Sequence, residues 1–265
     1  MDWKIFFDRL GMNGTVWQWR IMRWERYWKA FWRGGSDTSL LSLSRGLIYI
    51  NLILFVLMIV KALAAGHGPG SLLSPSTRLL IHSGAQYWPF VIYENEWWRC
   101  ITYAYTHGGL IHLAFNMMVL YQVGPLIEGE IGPARFFILY TLAALTATAA
   151  GYLWHPMVPV VGASGSLFGL IGFAVVYYHR IGPAGHELRN FMFRWAVFAF
   201  IFGIVVGADN AAHLGGAICG ALLGMFLPLG IRGRQKMKLL FNSLAGAALA
   251  ATVASLAFMI GSWFI

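Results

Sequence analysis

The residues best placed to do chemistry are one serine and one histidine. Gly162-Ala163-Ser164-Gly165 opens an apolar stretch, and His213 opens a second one within Asn210-Ala211-Ala212-His213-Leu214-Gly215-Gly216. A hydroxyl oxygen and an imidazole that is basic near neutral pH are the minimum for covalent hydrolysis through an acyl-enzyme. Both segments are apolar enough for a bilayer, where an ionisable side chain is costly and marks a functional site by default. Taken alone, the GxSG tetrapeptide reads more readily as a small-residue packing seam. His213 beside a second glycine series, Gly216, Gly220 and Gly224, reverses that balance, because packing has no need of an imidazole.

Two further polar residues fall in a third apolar stretch. His112 and Asn116 stand four apart, so a helix puts them on one face. Both donate hydrogen bonds, and aimed at a scissile carbonyl they would stabilise the developing oxyanion together with the Ser164 backbone N–H. One such donor is worth about 2.7–4 kcal/mol. The plainer reading is interhelical glue, worth roughly 0.6 kcal/mol per pair.

The elements that must position these groups are membrane helices. Of 265 residues, 58% are hydrophobic and only 11% charged, against about a quarter charged in a soluble domain. Crossing the hydrocarbon takes about 20 mostly apolar residues as a helix. Seven stretches qualify: 46–65, 110–127, 134–153, 160–179, 191–207, 210–229 and 240–262. The runs are continuous rather than alternating, which excludes a β-barrel reading and predicts an all-α polytopic membrane protein. The first 45 residues lack the run and cleavage site of a signal peptide. Neither Cys100 nor Cys219 suggests a disulfide, and no C-x-x-C metal pattern is present, so no metal or cofactor is expected.

Charge orients the chain. With a cytoplasmic N-terminus, only Lys61, Arg78 and Arg99 of the 19 lysines and arginines lie outside, leaving 19 − 3 = 16 inside. The net charge of +9 therefore flanks membrane spans rather than forming a nucleic-acid patch. In this orientation the second, fourth and sixth spans all start from the outer face. His112, Ser164 and His213 then lie roughly 4–8 Å below their helix entrances, at one depth.

Residues 1–45 read as a basic, aromatic arm. Trp17, Ile21, Trp24, Trp28 and Phe31 recur at helical steps with Arg20, Arg23 and Arg26 between them. That pattern suits an amphipathic helix on the anionic inner leaflet, or a short arm packed on the bundle. Gly35-Ser36-Asp37-Thr38-Ser39 reads as a linker. Residues 46–229 then form a six-span core, and 230–265 a basic cytoplasmic loop followed by a seventh span that packs or anchors. The long outer loop, about 66–109, is breaker-rich and then aromatic, as suits the membrane interface.

Together these residues resemble the rhomboid family of intramembrane serine proteases. The matching pieces are Trp98-Arg99, His107 through His112-Leu113-Ala114-Phe115-Asn116, Glu128, Gly162-Ala163-Ser164-Gly165 and His213-Leu214-Gly215-Gly216, across residues 45–229. The resemblance implies a rhomboid-like six-helix core plus one C-terminal helix, and a dyad of Ser164 as nucleophile and His213 as base and acid. It assigns His112, Asn116 and the Ser164 N–H to an oxyanion hole, with Gly162, Gly165, Phe168 and His107 in support. Substrates would be single-pass membrane proteins cut near the outer end of their transmembrane helix. They would reach the site laterally beside span five, past a short lid at Gly207–Asn210. Arg99 and Glu128 are implied to be structural. Phe168 stands where some relatives carry tyrosine, keeping the ring face that packs on the histidine and losing the hydroxyl.

Other expectations come from the residues themselves. His107 and His112 would help wet a polar cavity, and Asp209, four before His213, is an N-cap before it is a third catalytic group. A bacterial inner membrane fits the absence of an organelle-targeting presequence. Two other functions compete: a silent rhomboid-like protein that binds membrane helices without cutting, and a transporter with intramembrane histidines. The transporter would need a polar path to the inner face, yet the inner halves of spans two, four and six are almost wholly apolar.

Overall fold

Among the described residues the apolar stretches fold as seven long helices, set apart by glycine, proline and capping residues. The structure, a computed structural model, describes residues 3–9, 11, 13–19, 21–22, 25, 42–205, 208–230, 235 and 237–264. Its long helices are α1 (Leu43–Ala64), α2 (Leu110–Ile131), α3 (Pro133–Trp154), α4 (Ser164–Ile181), α5 (His186–Val205), α6 (Asn210–Phe226) and α7 (Lys238–Gly261). Four of them, α1, α2, α3 and α7, are long and apolar enough to cross a membrane by length and composition, and α6 is a shorter apolar helix. The protein is thus an all-α, multi-pass integral membrane protein. Trp24, Trp28, Phe31, the 35–39 linker, Gly207 and Arg232-Gly233-Arg234 lie outside the described residues, as do the arginines of the arm at 20, 23 and 26. Of the arm, Trp3–Arg9 is helical and Trp17 stacks on Phe7 at 5.1 Å.

Chain chemistry sets the breaks. Gly132, at φ +82°, ends α2, and Pro133 starts α3 immediately, with its missing N–H at a position that has no intrahelical acceptor. Glu128 turns a carboxylate onto the start of α1, accepting from Leu43 N at 2.7 Å, Ser44 N at 2.9 Å and Ser44 Oγ at 2.8 Å. Those N–H groups have no intrahelical acceptor, and a carboxylate there also suits the helix dipole. The fourth helix differs from its expected span. It starts at Ser164 rather than 160, because Val160 pairs antiparallel with Gln86 and Gly162 takes φ +116°. The chain is therefore extended at Val160, bends at Gly162 and enters the helix at Ser164 through Ala163, which is already in the helical region.

The tightest pairing in the bundle joins α4 to α6. A Cβ on Gly216 would collide with the carbonyl oxygen of Gly165, and one on Gly220 with that of Gly169. At Gly224 it would lie 2.7 Å from Phe173 O. The contact steps along both helices every four residues, as small-xxx-small faces do. On the other side of α4, Gly165 and Gly169 give way to Ala147 and Ala143 of α3.

The loop between α1 and α2 folds into short helices at Thr77–His82, Trp88–Tyr93 and Arg99–Thr102. Buried Arg99 closes it: Nη1 donates to Ile81 O at 2.6 Å and Ala85 O at 2.9 Å, while Nε meets Glu96 and the guanidinium lies 4.5 Å over the Trp98 ring. Thr102 and Thr106 hydroxyls donate to Gly84 O and Ser83 O, both at 2.8 Å. Helix α7 packs on α3 and on this loop, where Phe258 meets Trp97 at 5.6 Å and Met259 covers Gly84.

The seam makes a prediction of opposite signs. Gly220→Ala should lower the melting temperature in detergent, since overpacking costs about 1–3 kcal/mol. Gly246→Ala on α7, whose Cβ would meet open space, should hold or raise it by removing a flexible residue from a helix. Equal responses in a thermal melt would contradict the close approach.

Candidate active site

Helices α2, α4 and α6 begin at the same end of the bundle, and their first turns carry the polar groups. His112 is the third residue of α2, Ser164 the first of α4 and His213 the fourth of α6. Across the glycine seam, Ser164 Oγ and His213 Nε2 stand 2.9 Å apart. His213 is buried and Ser164 is partly exposed. The imidazole is held on both sides. Phe168, one turn into α4, stacks on it with ring centroids 4.2 Å apart and planes 15° from parallel. At its far edge, His213 Nδ1 lies 3.1 Å from Asn210 Oδ1. A carbonyl oxygen only accepts, so Nδ1 carries the proton and Nε2 is left free to accept one from the serine.

Asn210 was not singled out from the sequence. The sequence offers Asp209, four residues before His213, whereas the contact runs from i to i+3 within the first helical turn. Asp209 is instead the N-cap of α6, its Oδ1 accepting from Ala212 N at 2.9 Å. The same oxygen meets His155 Nε2 at 2.8 Å. Thus the described part of the expected lid, Ala208 to Asn210, is fastened, with Ala208 N also donating to Gly203 O at 2.7 Å.

The second cluster lies beside the serine. His112 Nδ1 accepts from Gly108 N at 3.3 Å, which puts the ring proton on Nε2. That nitrogen faces Gly162: a Cβ there would come within 2.7 Å of Nε2, and within 3.8 Å of Asn116 Nδ2. Gly162 is therefore required twice, by its positive φ and by the room that His112 takes. Its own N–H donates to Tyr103 O at 2.8 Å, fixing the segment before the serine to the long loop. Asn116 Nδ2 gives one proton to His112 O at 2.9 Å and keeps a second. A Cβ on Gly165 would run into Ala147 and stand 3.2 Å from the Tyr103 hydroxyl.

His107 corrects an expectation. It is fully buried with its ring edge-to-face on His112, centroids 5.3 Å apart, so it lines no open cavity. Burial, with His112 alongside, pushes its pKa well below the ordinary value, leaving a neutral ring that backs His112. Partly exposed Ser164 and His112 are the groups solvent reaches.

A polytopic helical membrane protein with a serine–imidazole contact at one end of its bundle is the class that fold and site define. Comparison with known proteins specifies it. Residues 94–229, just over half of the chain, match the Rhomboid domain. The rhomboid protease GluP of Bacillus subtilis is 34% identical over 171 residues, 63% of this chain and 33% of that protein. RHOMBOID-like protein 6, mitochondrial, of Arabidopsis thaliana is 32% identical over 163 residues, 58% of this chain and 52% of that one. Inactive RHOMBOID-like protein 8 of the same plant is 30% identical over 150 residues, 56% and 43% respectively. The chain spans between a third and about half of these relatives. It belongs to the rhomboid family.

The Nδ1 assignment can be checked spectroscopically. In protein with 15N-labelled histidine, His213 should show a single Nδ1–H tautomer, which Asn210→Leu converts to a mixture while Asn210→Asp preserves it. An unchanged His213 spectrum in Asn210→Leu would mean that another group holds the ring.

Proposed function

We propose that this chain is an intramembrane serine endopeptidase. The observation that carries the reading is the 2.9 Å contact between Ser164 Oγ and His213 Nε2 within a rhomboid bundle. Ser164 attacks the scissile carbonyl carbon as its proton passes to His213 Nε2. The carbonyl oxygen takes the negative charge and is met by the His112 Nε2–H, the free Asn116 Nδ2–H and the Ser164 N–H, which sits at a helix N-terminus with no intrahelical acceptor. The imidazolium then gives its proton to the leaving amine. Water deacylates the ester, with His213 again as base. Asn210 keeps the imidazole in the competent tautomer throughout, and Phe168 keeps it facing the serine.

The substrates are single-pass membrane proteins whose helix unwinds near the outer face, since an intact helix shields its carbonyls with i→i−4 bonds. Small residues at the cut and helix breakers just below it favour that unwinding. Residues 46–229 form the catalytic core, 1–45 an inner-leaflet arm, and 230–265 a basic loop and accessory helix. The distribution of basic residues supports a cytoplasmic N-terminus, in a bacterial inner membrane. No cofactor enters the reaction.

A silent relative sits among the similar proteins, so the decisive test is cleavage itself. Reconstituted in liposomes with a single-pass test substrate, the protein should cut it, and Ser164→Ala or His213→Ala should lower the rate at least a thousandfold at unchanged melting temperature. Equal turnover in wild type and Ser164→Ala would contradict the reading. The sign with pH is fixed by the role of His213: the base must be neutral, so the rate rises as His213 loses its proton and falls as acid restores it. A rate that grows on acidification would exclude His213 as base.

A further inference from the structure

The base-bearing helix is tied to the nucleophile's own connector by a pair of residues that neither the oxyanion cluster nor the dyad uses. His155 caps the C-terminus of α3, its N–H bonded to Gly151 O at 2.8 Å, and opens the 155–163 connector that leads to Gly162 and Ser164. Its Nε2 meets Asp209 Oδ1 at 2.8 Å. Asp209 in turn holds the first turn of α6 twice: Oδ1 accepts from Ala212 N at 2.9 Å, and the backbone carbonyl accepts from His213 N at 3.1 Å. The pair lies against Gly151, where a Cβ would make ordinary contact at 3.5 Å with both Asp209 Oδ2 and His155 Cε1. The geometry is also favourable electrostatically, because it sets an imidazole at a helix C-terminus and a carboxylate at a helix N-terminus.

We propose that His155 is a positioning residue for the reaction inferred above, on which this role rests. Through Asp209 it fixes the first turn of α6, and with it Asn210 and His213, against the connector that carries Ser164. Without it, α6 keeps its cap and its packing on α3 through Gly215, but its first turn loses its bond to the 155–163 connector. The imidazole then spends less time within reach of the serine hydroxyl, and kcat falls while substrate binding is untouched.

The test uses the full chain in detergent and liposomes. His155→Leu should speed amide exchange over residues 210–213, read by mass spectrometry, with the melting temperature little changed. Its kcat should drop about tenfold at constant KM, less than the roughly hundredfold that a 1 Å misplacement can cost. His155→Gln, which keeps a donor of similar reach, should restore both. In Asp209→Ser, which keeps a capping oxygen too short to meet His155, adding His155→Leu should lower kcat no further. Unchanged exchange in His155→Leu, or additive losses in the double variant, overturns the role. Exchange that responds to His155 in a wild type with no Ser164-dependent cleavage keeps the tether and sinks the protease reading instead.

Discussion

Two helix backbones in van der Waals contact are the constraint on which everything else in this protein depends. Lipid supplies no hydrophobic drive to bring helices together, so α4 and α6 meet through small-residue faces alone. Gly165 lies on Gly216 and Gly169 on Gly220, each with no space for a side chain. Only at that separation can a short serine side chain on one helix touch an imidazole on the other at 2.9 Å. A hydroxyl and an imidazole one side-chain diameter further apart would be two isolated polar residues in a membrane. The seam makes them a hydrogen-bonded pair.

The rest of the bundle aligns the open end of that seam. Helix α3 backs α4 with Ala143 and Ala147, and the Tyr103 hydroxyl reaches Ala144 O at 2.7 Å. Tyr103 also accepts the Gly162 N–H, so one residue of the long loop touches both α3 and the segment before Ser164. Arg99 and the two threonines hold that loop closed from within, and α7 covers its outer side through Phe258 and Met259. The seventh helix thereby contributes to the site at one remove, by supporting the loop on which Gly162 leans.

Much of this was legible in the sequence because lipid restricts the choices. Continuous apolar runs have to be helices, and all seven expected stretches correspond to helices in the fold. The glycine spacing announced the seam, and the matching depth of Ser164 and His213 announced their contact, while His112 lies beside Gly162. What the sequence did not show were contacts that depend on local turns. The start of α4 moved to Ser164 because Gly162 adopts a positive φ and Val160 pairs with the distant Gln86 of the long loop, a contact that no local periodicity announces. Asn210 was missed because a short amide beside a better-known capping residue gives no signal until the first turn is built. His107 looked like a wet group and is a buried one, since its placement follows from the fold of the long loop rather than from its neighbours in sequence.

The most direct test of the central claim is where a serine-reactive fluorophosphonate lands on the detergent-solubilised protein. Tandem mass spectrometry after digestion should find the phosphonyl group on Ser164, and the adduct should disappear in His213→Ala. A folded protein that takes up no probe, or that carries it on another residue, would contradict an activated serine at the head of α4.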